Sequence, residues 1–158
     1  MYSNKLICDI LIYIDENIKN KITIEDLEIK FFYNRYYIMK LFKKEIGLTI
    51  IEYINSIRIY NSILQIKNSN TNLINIAFKN GFYSLEYFSE IFKQITQLNP
   101  RKFKDYFSYK KSISFEDINL INNSIIKLYE VSKIKDIYLP KQKPTINPVK
   151  KLSIFKTI

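Results

Sequence analysis

Arg35, Tyr36, Met39, Lys40 and Lys43 surround Ile38, Leu41 and Phe42, which repeat at the spacing of a buried helical stripe, so the first group faces outward. The chemistry on offer is recognition and not bond-making. A lysine there can donate to guanine O6/N7, a tyrosine can pack on a thymine methyl and hydrogen-bond, and a methionine offers only apolar contact. Some fifty residues later Phe88 and Phe92, with Ile91, repeat in the same way and leave Leu85, Glu86, Ser89, Glu90 and Lys93 outward. This second set differs in kind. A carboxylate is repelled by phosphates, although one aimed at a base accepts from cytosine N4, and Ser89 suits a base or a phosphate.

Catalytic chemistry has no foothold elsewhere. Histidine is absent and Cys8 is the single cysteine, which removes the commonest general base, any disulfide framework and zinc sites of the usual Cys/His kind. Paired carboxylates, a phosphate loop and a nucleophile constellation are also missing, so no enzyme activity, metal or cofactor is expected. The charge balance points to a partner instead. Lys plus Arg number 25 against 15 acidic residues, a net charge of +10, and an acidic polymer or anionic surface is the first partner to test. Residues 1–106 carry only +4 of that excess and 107–158 carry +6. Arginine is scarce, three against 22 lysines, so bidentate reading of guanine by arginine is mostly out of reach.

The elements that must position these residues are helical. Ile7, Ile10, Leu11, Ile14 and Ile18 make a first stripe. Thr23 followed by Asp26 is a capping-box pattern that opens a short helix to about Phe31, and Asn34 caps another running to about Ile46, where Gly47 ends it. A long helix spans about 49–66, with Ile54, Ile57, Asn61 and Leu64 at helical spacing, before a polar break at 67–72. Helices at about 73–79 and 84–95 follow, and Asn99-Pro100 starts a last short one. Although Lys5 precedes an apolar run from Leu6 to Ile14, Asp9 interrupts it and no small-residue cleavage site follows. No uncharged apolar stretch reaches membrane-spanning length, so a cytoplasmic chain without a membrane partner is expected.

The two halves repeat. Residues 37–43 line up with 87–93 at an offset of 50, while Leu27, Phe32 and Tyr33 line up with Ile76, Gly81 and Phe82 at 49, so the slip falls in the turn between paired helices. Ala77, the only alanine, lies four residues before Gly81, one of two glycines. A helix-turn-helix needs a small side chain where its helices cross and a turn residue that tolerates positive φ.

With Leu41-Phe42-Lys43-Lys44-Glu45-Ile46-Gly47, Glu52-Tyr53-Ile54, Arg58-Ile59, Ile76-Ala77-Phe78-Lys79-Asn80-Gly81-Phe82, Tyr87 to Lys93 and Asn99-Pro100-Arg101-Lys102-Phe103, the chain resembles the AraC/XylS type of bacterial transcription regulator over about residues 4–107. The resemblance implies an all-α fold: two helix-turn-helix subdomains, at about 24–46 and 73–95, joined by the linker helix and followed by a C-terminal extension over 108–158. It further implies a sequence-specific regulator of transcription that puts two recognition helices into successive major grooves of double-stranded DNA. Binding as a monomer and contact with RNA polymerase go with that reading. Tyr36, Met39 and Lys40 would then reach base edges and Arg35 and Lys43 would flank phosphates, while Ser84, Leu85, Glu86, Ser89, Glu90 and Lys93 form the second DNA face, which positions more than it reads. Glu90 stands where the family commonly has a basic residue, Glu28 and Phe32 replace an expected small residue and turn glycine, and Gln97 replaces a glycine that would mirror Gly47.

In the extension, Ser114 and Asp117 form a second capping-box pattern ahead of a stripe of Phe115, Ile118, Ile121, Ile125 and Leu128. Lys133 to Leu139 has β-branched character and reads as a strand, and Pro140, Pro144 and Pro148 alternate with lysines in an extended basic tail. The segment is either a truncated remnant of an effector domain or a small addition packing on the DNA-binding unit. Two competing readings of the whole chain are a degraded fragment that no longer binds DNA and a helical protein-interaction module.

Overall fold

Among the described residues of the computed structural model, seven of eight helices begin at a Thr, Asn or Ser whose side chain accepts an amide of the first turn. Those caps satisfy donors that would otherwise be orphaned. The structure describes residues 2–109 and 113–139, with side chains from Lys5 onward; the expected basic proline tail lies outside them. The helices are α1 (Tyr2–Asn17), α2 (Ile24–Phe31), α3 (Arg35–Ile46), α4 (Ile50–Asn68), α5 (Leu73–Lys79), α6 (Leu85–Thr96), α7 (Pro100–Ser108) and α8 (Phe115–Tyr138). The described residues hold no strand, and none of their helices is long and apolar enough to cross a membrane.

Two apolar cores lie along α4. The first gathers Ile7, Ile10, Leu11 and Ile14 of α1, Leu27 of α2, Ile38, Leu41 and Phe42 of α3, and Tyr53 and Ile54 of α4. The second gathers Ile59, Ile63 and Ile66 of α4 with Ile76, Ala77, Phe82, Phe88, Phe92 and Phe103. Because α4 is covered on several sides, its buried set differs from the expected stripe: of Ile54, Ile57, Asn61 and Leu64 only Ile54 is buried and the others are half-buried, whereas Tyr53, Asn55, Ser56, Arg58, Ile59, Ser62, Ile63 and Ile66 are buried.

Arg58 ties the two halves together. Its Nε and Nη2 donate to the carbonyls of Ile18 and Asn20, at 2.8 and 2.6 Å, just past the end of α1, and the guanidinium lies 5.9 Å from the Phe82 ring. Carbonyls at a helix C-terminus carry the negative end of its dipole and suit a cation. Burial pushes the guanidinium below its ordinary pKa. Gly81 closes the same junction, with φ +85° and a position where an added Cβ would stand 2.9 Å from the Ile18 carbonyl oxygen and 3.0 Å from Arg58 Nε.

The stretch 133–139, expected as a strand, is the last part of α8 up to Tyr138, followed by Leu139 as its extended C-cap. Val131, Ile134 and Tyr138 continue a helical stripe that packs on the first core, so tertiary burial overrides the local preference of β-branched residues. Earlier in α8, Ile121 and Leu128 enter the second core. Phe115, expected at the head of that stripe, is instead exposed.

Candidate nucleic-acid interface

Both helix-turn-helix units present the second helix of the pair on an outer face, but their turns are held differently. In the first, Phe32 supplies the left-handed turn residue, at φ 58°, and is 92% exposed. Arg35 fastens the turn: its backbone N–H and guanidinium donate to Glu28, and the guanidinium also reaches Glu25 at 2.8 Å. The Arg35 amide and guanidinium hold the Glu28 carboxyl below the usual carboxylate range. Glu28, which stands where a small residue was expected, therefore serves as the anchor of the turn. Arg35, expected to flank phosphates, has its planar fork committed to two carboxylates.

In the second unit the turn is held by packing. Gly81 takes the left-handed conformation, Ala77 is fully buried, and Phe82, Phe88, Phe92 and Phe103 form a chain of edge-on ring contacts with centroids 4.9–5.5 Å apart. The two units correspond closely. Left-handed residues recur at Phe32 and Gly81, N-caps at Asn34 and Ser84, and left-handed C-caps at Gly47 and Gln97. The counterpart of Tyr33 is, however, Tyr83 and not Phe82: Tyr33 stacks on Tyr37 at 5.5 Å and Tyr83 on Tyr87 at 4.7 Å, whereas Phe82 is an additional core residue. These stacked pairs escaped the reading of outward residues, although their i, i+4 spacing and repeat at an offset of 50 were visible.

On α3, Tyr36 (74% exposed), Met39, Lys40 and Lys43 share the outer face. Lys43 has a long contact to Glu52, at 3.4 Å between exposed groups. Such a pair is worth little and leaves the ammonium available to a phosphate. The face borders an open groove of about 550 Å³ that is also lined by the first turns of α2 and α4, at Thr23-Ile24 and Thr49-Ile50. Two helix N-termini thus flank α3, their partial positive charge offset in part by the first-turn carboxylates Glu25, Asp26 and Glu52, a feature that only the folded chain assembles.

On α6, Glu86, Glu90 and Lys93 are exposed and Ser89 is half-buried. Leu85, expected outward, packs against the second core and is half-buried, since it opens α6 directly beside the aromatic cluster. The Ser84 hydroxyl oxygen accepts from the Tyr87 amide at 3.1 Å and caps the helix. Position for position, the structure sets Tyr36, Met39, Lys40 and Lys43 against Glu86, Ser89, Glu90 and Lys93.

Comparison with known proteins extends this picture. A helix-turn-helix domain family matches residues 29–106. The chain is 26% identical over 103 residues to the HTH-type transcriptional activator AarP of Providencia stuartii, covering 65% of this chain and 76% of that one. It is also 26% identical over 95 residues to the multiple antibiotic resistance protein MarA of Escherichia coli, covering 60% and 75%. Among solved structures, the C-terminal domain of the two-component response regulator yesN from Fusobacterium nucleatum is similar with a TM-score of 0.58 and 25% identity, over 66% of this chain and 99% of that one.

Proposed function

The chain belongs to the AraC-type helix-turn-helix family and is a DNA-binding transcription regulator, and from that premise we propose that α3 reads sequence while α6 chiefly fixes position. In this reading the two helices enter successive major grooves, about 34 Å apart on one face of double-stranded DNA. Tyr36, Met39 and Lys40 meet base edges, and Lys43 meets a phosphate beside the N-termini of α2 and α4. Arg35 braces the first turn through Glu25 and Glu28 and acts on DNA mainly by orienting α3. On the second face, Ser89 and Lys93 contact the backbone and Ser84 and Leu85 set the helix in place. Glu86 and Glu90 lower non-specific affinity, or select a cytosine amino group where one is presented. The protein acts without a cofactor and without enzymatic chemistry, as a monomer on DNA, in the cytoplasm at the nucleoid, through contact with RNA polymerase at the promoter.

The observation that carries the reading is the pair of matched units whose outer faces differ in charge while their backbones correspond. The test is selection from a random duplex library followed by a salt titration of the selected site. Two half-sites about 10 base pairs apart are expected, with a log–log salt slope of several units at about 0.9 per phosphate neutralised. A flat salt response, or a single half-site contacted by α6 alone, would overturn it.

A further inference from the structure

We infer that α8 is a ruler for the two recognition helices: it fixes their separation and angle and thereby the half-site spacing that the protein accepts. The inference rests on the reading of α3 and α6 as recognition helices. Among the described residues, α4 and α8 are the elements that contribute to both apolar cores. Ile121 and Leu128 enter the second, and Val131, Ile134 and Tyr138 pack on the first.

The polar contacts of α8 are more specific. Ser124 Oγ donates to the carbonyl of Thr96, the last residue of α6, at 3.4 Å. Tyr138 Oη donates to the carbonyl of Glu45, in the last turn of α3, at 2.9 Å. With the offset of 50 between α3 and α6, these two acceptors fall one residue apart in register, so a single helix grips both recognition helices at the same end. Carbonyls of a last helical turn lack intrahelical partners, which makes them ready acceptors. The two hydroxyls are fourteen residues apart in one continuous α-helix, about 21 Å along its axis at 1.5 Å per residue.

Further contacts pin both ends of the rod. Lys102 of α7 pairs with Asp117 near its start. Near its end Lys135 pairs with Asp15 of α1 at 2.7 Å, and Cys8 Sγ donates to the Tyr138 carbonyl at 3.0 Å. The helix-turn-helix family match ends at residue 106, so the ruler is an addition outside the shared unit. Helix α4 alone leaves the two units joined through one rod and the Arg58 junction, with bending and twist resisted along a single line. A second rod anchored to both recognition helices removes that freedom. One base pair added between half-sites rotates the second by roughly 34° about the DNA axis, since a turn holds about 10.5 base pairs. A rigid pair of helices cannot follow that rotation.

The test uses the full chain and a selected site whose half-sites are moved one base pair closer or farther. Wild type is expected to lose at least about tenfold in affinity for either displaced site, or about 1.4 kcal/mol. The triple substitution Val131→Ser, Ile134→Ser, Tyr138→Ser releases the end of α8 and should shrink that penalty to about threefold or less, about 0.7 kcal/mol. The milder pair Ser124→Ala with Tyr138→Phe keeps the packing, so it tests the two hydroxyls should the triple fail to fold; its penalty should also fall toward about threefold. In parallel, spin labels at Lys44→Cys and Gln94→Cys, in a Cys8→Ser background whose hydroxyl keeps a donor for the Tyr138 carbonyl, should give one narrow distance in the otherwise wild-type chain and a broad distribution in the released variants. Folded variants that keep the tenfold penalty and the narrow distance would overturn the ruler. If instead wild type selects no DNA site, the reading of α3 and α6 falls, and the label distances still decide whether α8 holds them.

Discussion

The two helix-turn-helix units share one backbone plan and reach it by different physics. Around α2 and α3 the turn is bound by charge, with Arg35 between Glu25 and Glu28, Phe32 in a left-handed conformation, and an outer face of tyrosine, methionine and lysine. Around α5 and α6 the turn is bound by close packing, with Gly81 pressed against Ile18 and Arg58, four phenylalanines in contact, and a face that carries Glu86 and Glu90. The difference accords with the proposed division of labour. In that reading the tightly packed unit is the platform on which the fold leans, and the first unit carries the reading face.

The largest expected effect tests the platform. Gly47 and Gly81 have nearly the same positive φ, but a Cβ at Gly47 meets nothing within 4 Å whereas one at Gly81 meets a carbonyl and a guanidinium. Gly47→Ala should cost about 1–2 kcal/mol of stability from left-handed strain alone. Gly81→Ala adds overpacking to that strain and should cost about 2–5 kcal/mol. Equal losses in denaturant titrations would remove the close junction at Arg58 from the account.

A smaller effect tests the faces. Lys40→Ala should relax selectivity at one base pair by about 1–3 kcal/mol, while Glu90→Ala at the matching position leaves selectivity nearly unchanged and tightens binding. Affinities over a panel of single base-pair changes in the selected site measure both. If Glu90→Ala instead abolishes selection for a C·G pair, α6 reads sequence and the division of labour is wrong.

The smallest effect sharpens the comparison at the turns. Phe32 holds φ 58° with its side chain almost wholly in solvent. Phe32→Gly relieves roughly 1–2 kcal/mol of left-handed strain against about 0.5–1 kcal/mol of added backbone entropy, so a net gain of about 0.5–1 kcal/mol is expected. A thermal melt is sufficient, and a lowered midpoint would mean that the exposed ring holds the first turn after all.

Much of this architecture was legible in the residues because it is local. Caps such as Thr23, Asn34, Asn99 and Ser114 advertise helix starts through side-chain oxygens that reach amides two or three residues away. Gly47 marked a helix end for the same reason. The candidate face on α3 was legible too, since outward positions follow directly from the buried period. Leu85 was misjudged because the period places it outward while the aromatic cluster at the start of α6 covers it. The ion pairs of Arg35 were not legible because its partners lie seven and ten residues back, across a turn whose path must be known first.

By itself the sequence determined the helices, their pairing into two repeated units and the charge contrast between the outward residues of α3 and α6, because each follows from short-range periodicity, capping and composition. Tertiary structure alone decided three other things: that Arg58 joins α1 to the second turn, that the first turns of α2 and α4 flank α3, and that α8 runs as one helix through Tyr138 with one hydroxyl on α6 and one on α3. These depend on contacts between distant residues, 28 to 93 positions apart for the hydrogen bonds of Arg58, Ser124 and Tyr138, or on burial that makes β-branched residues helical. Such contacts leave no periodic trace along the chain, since they come from the docking of elements already formed.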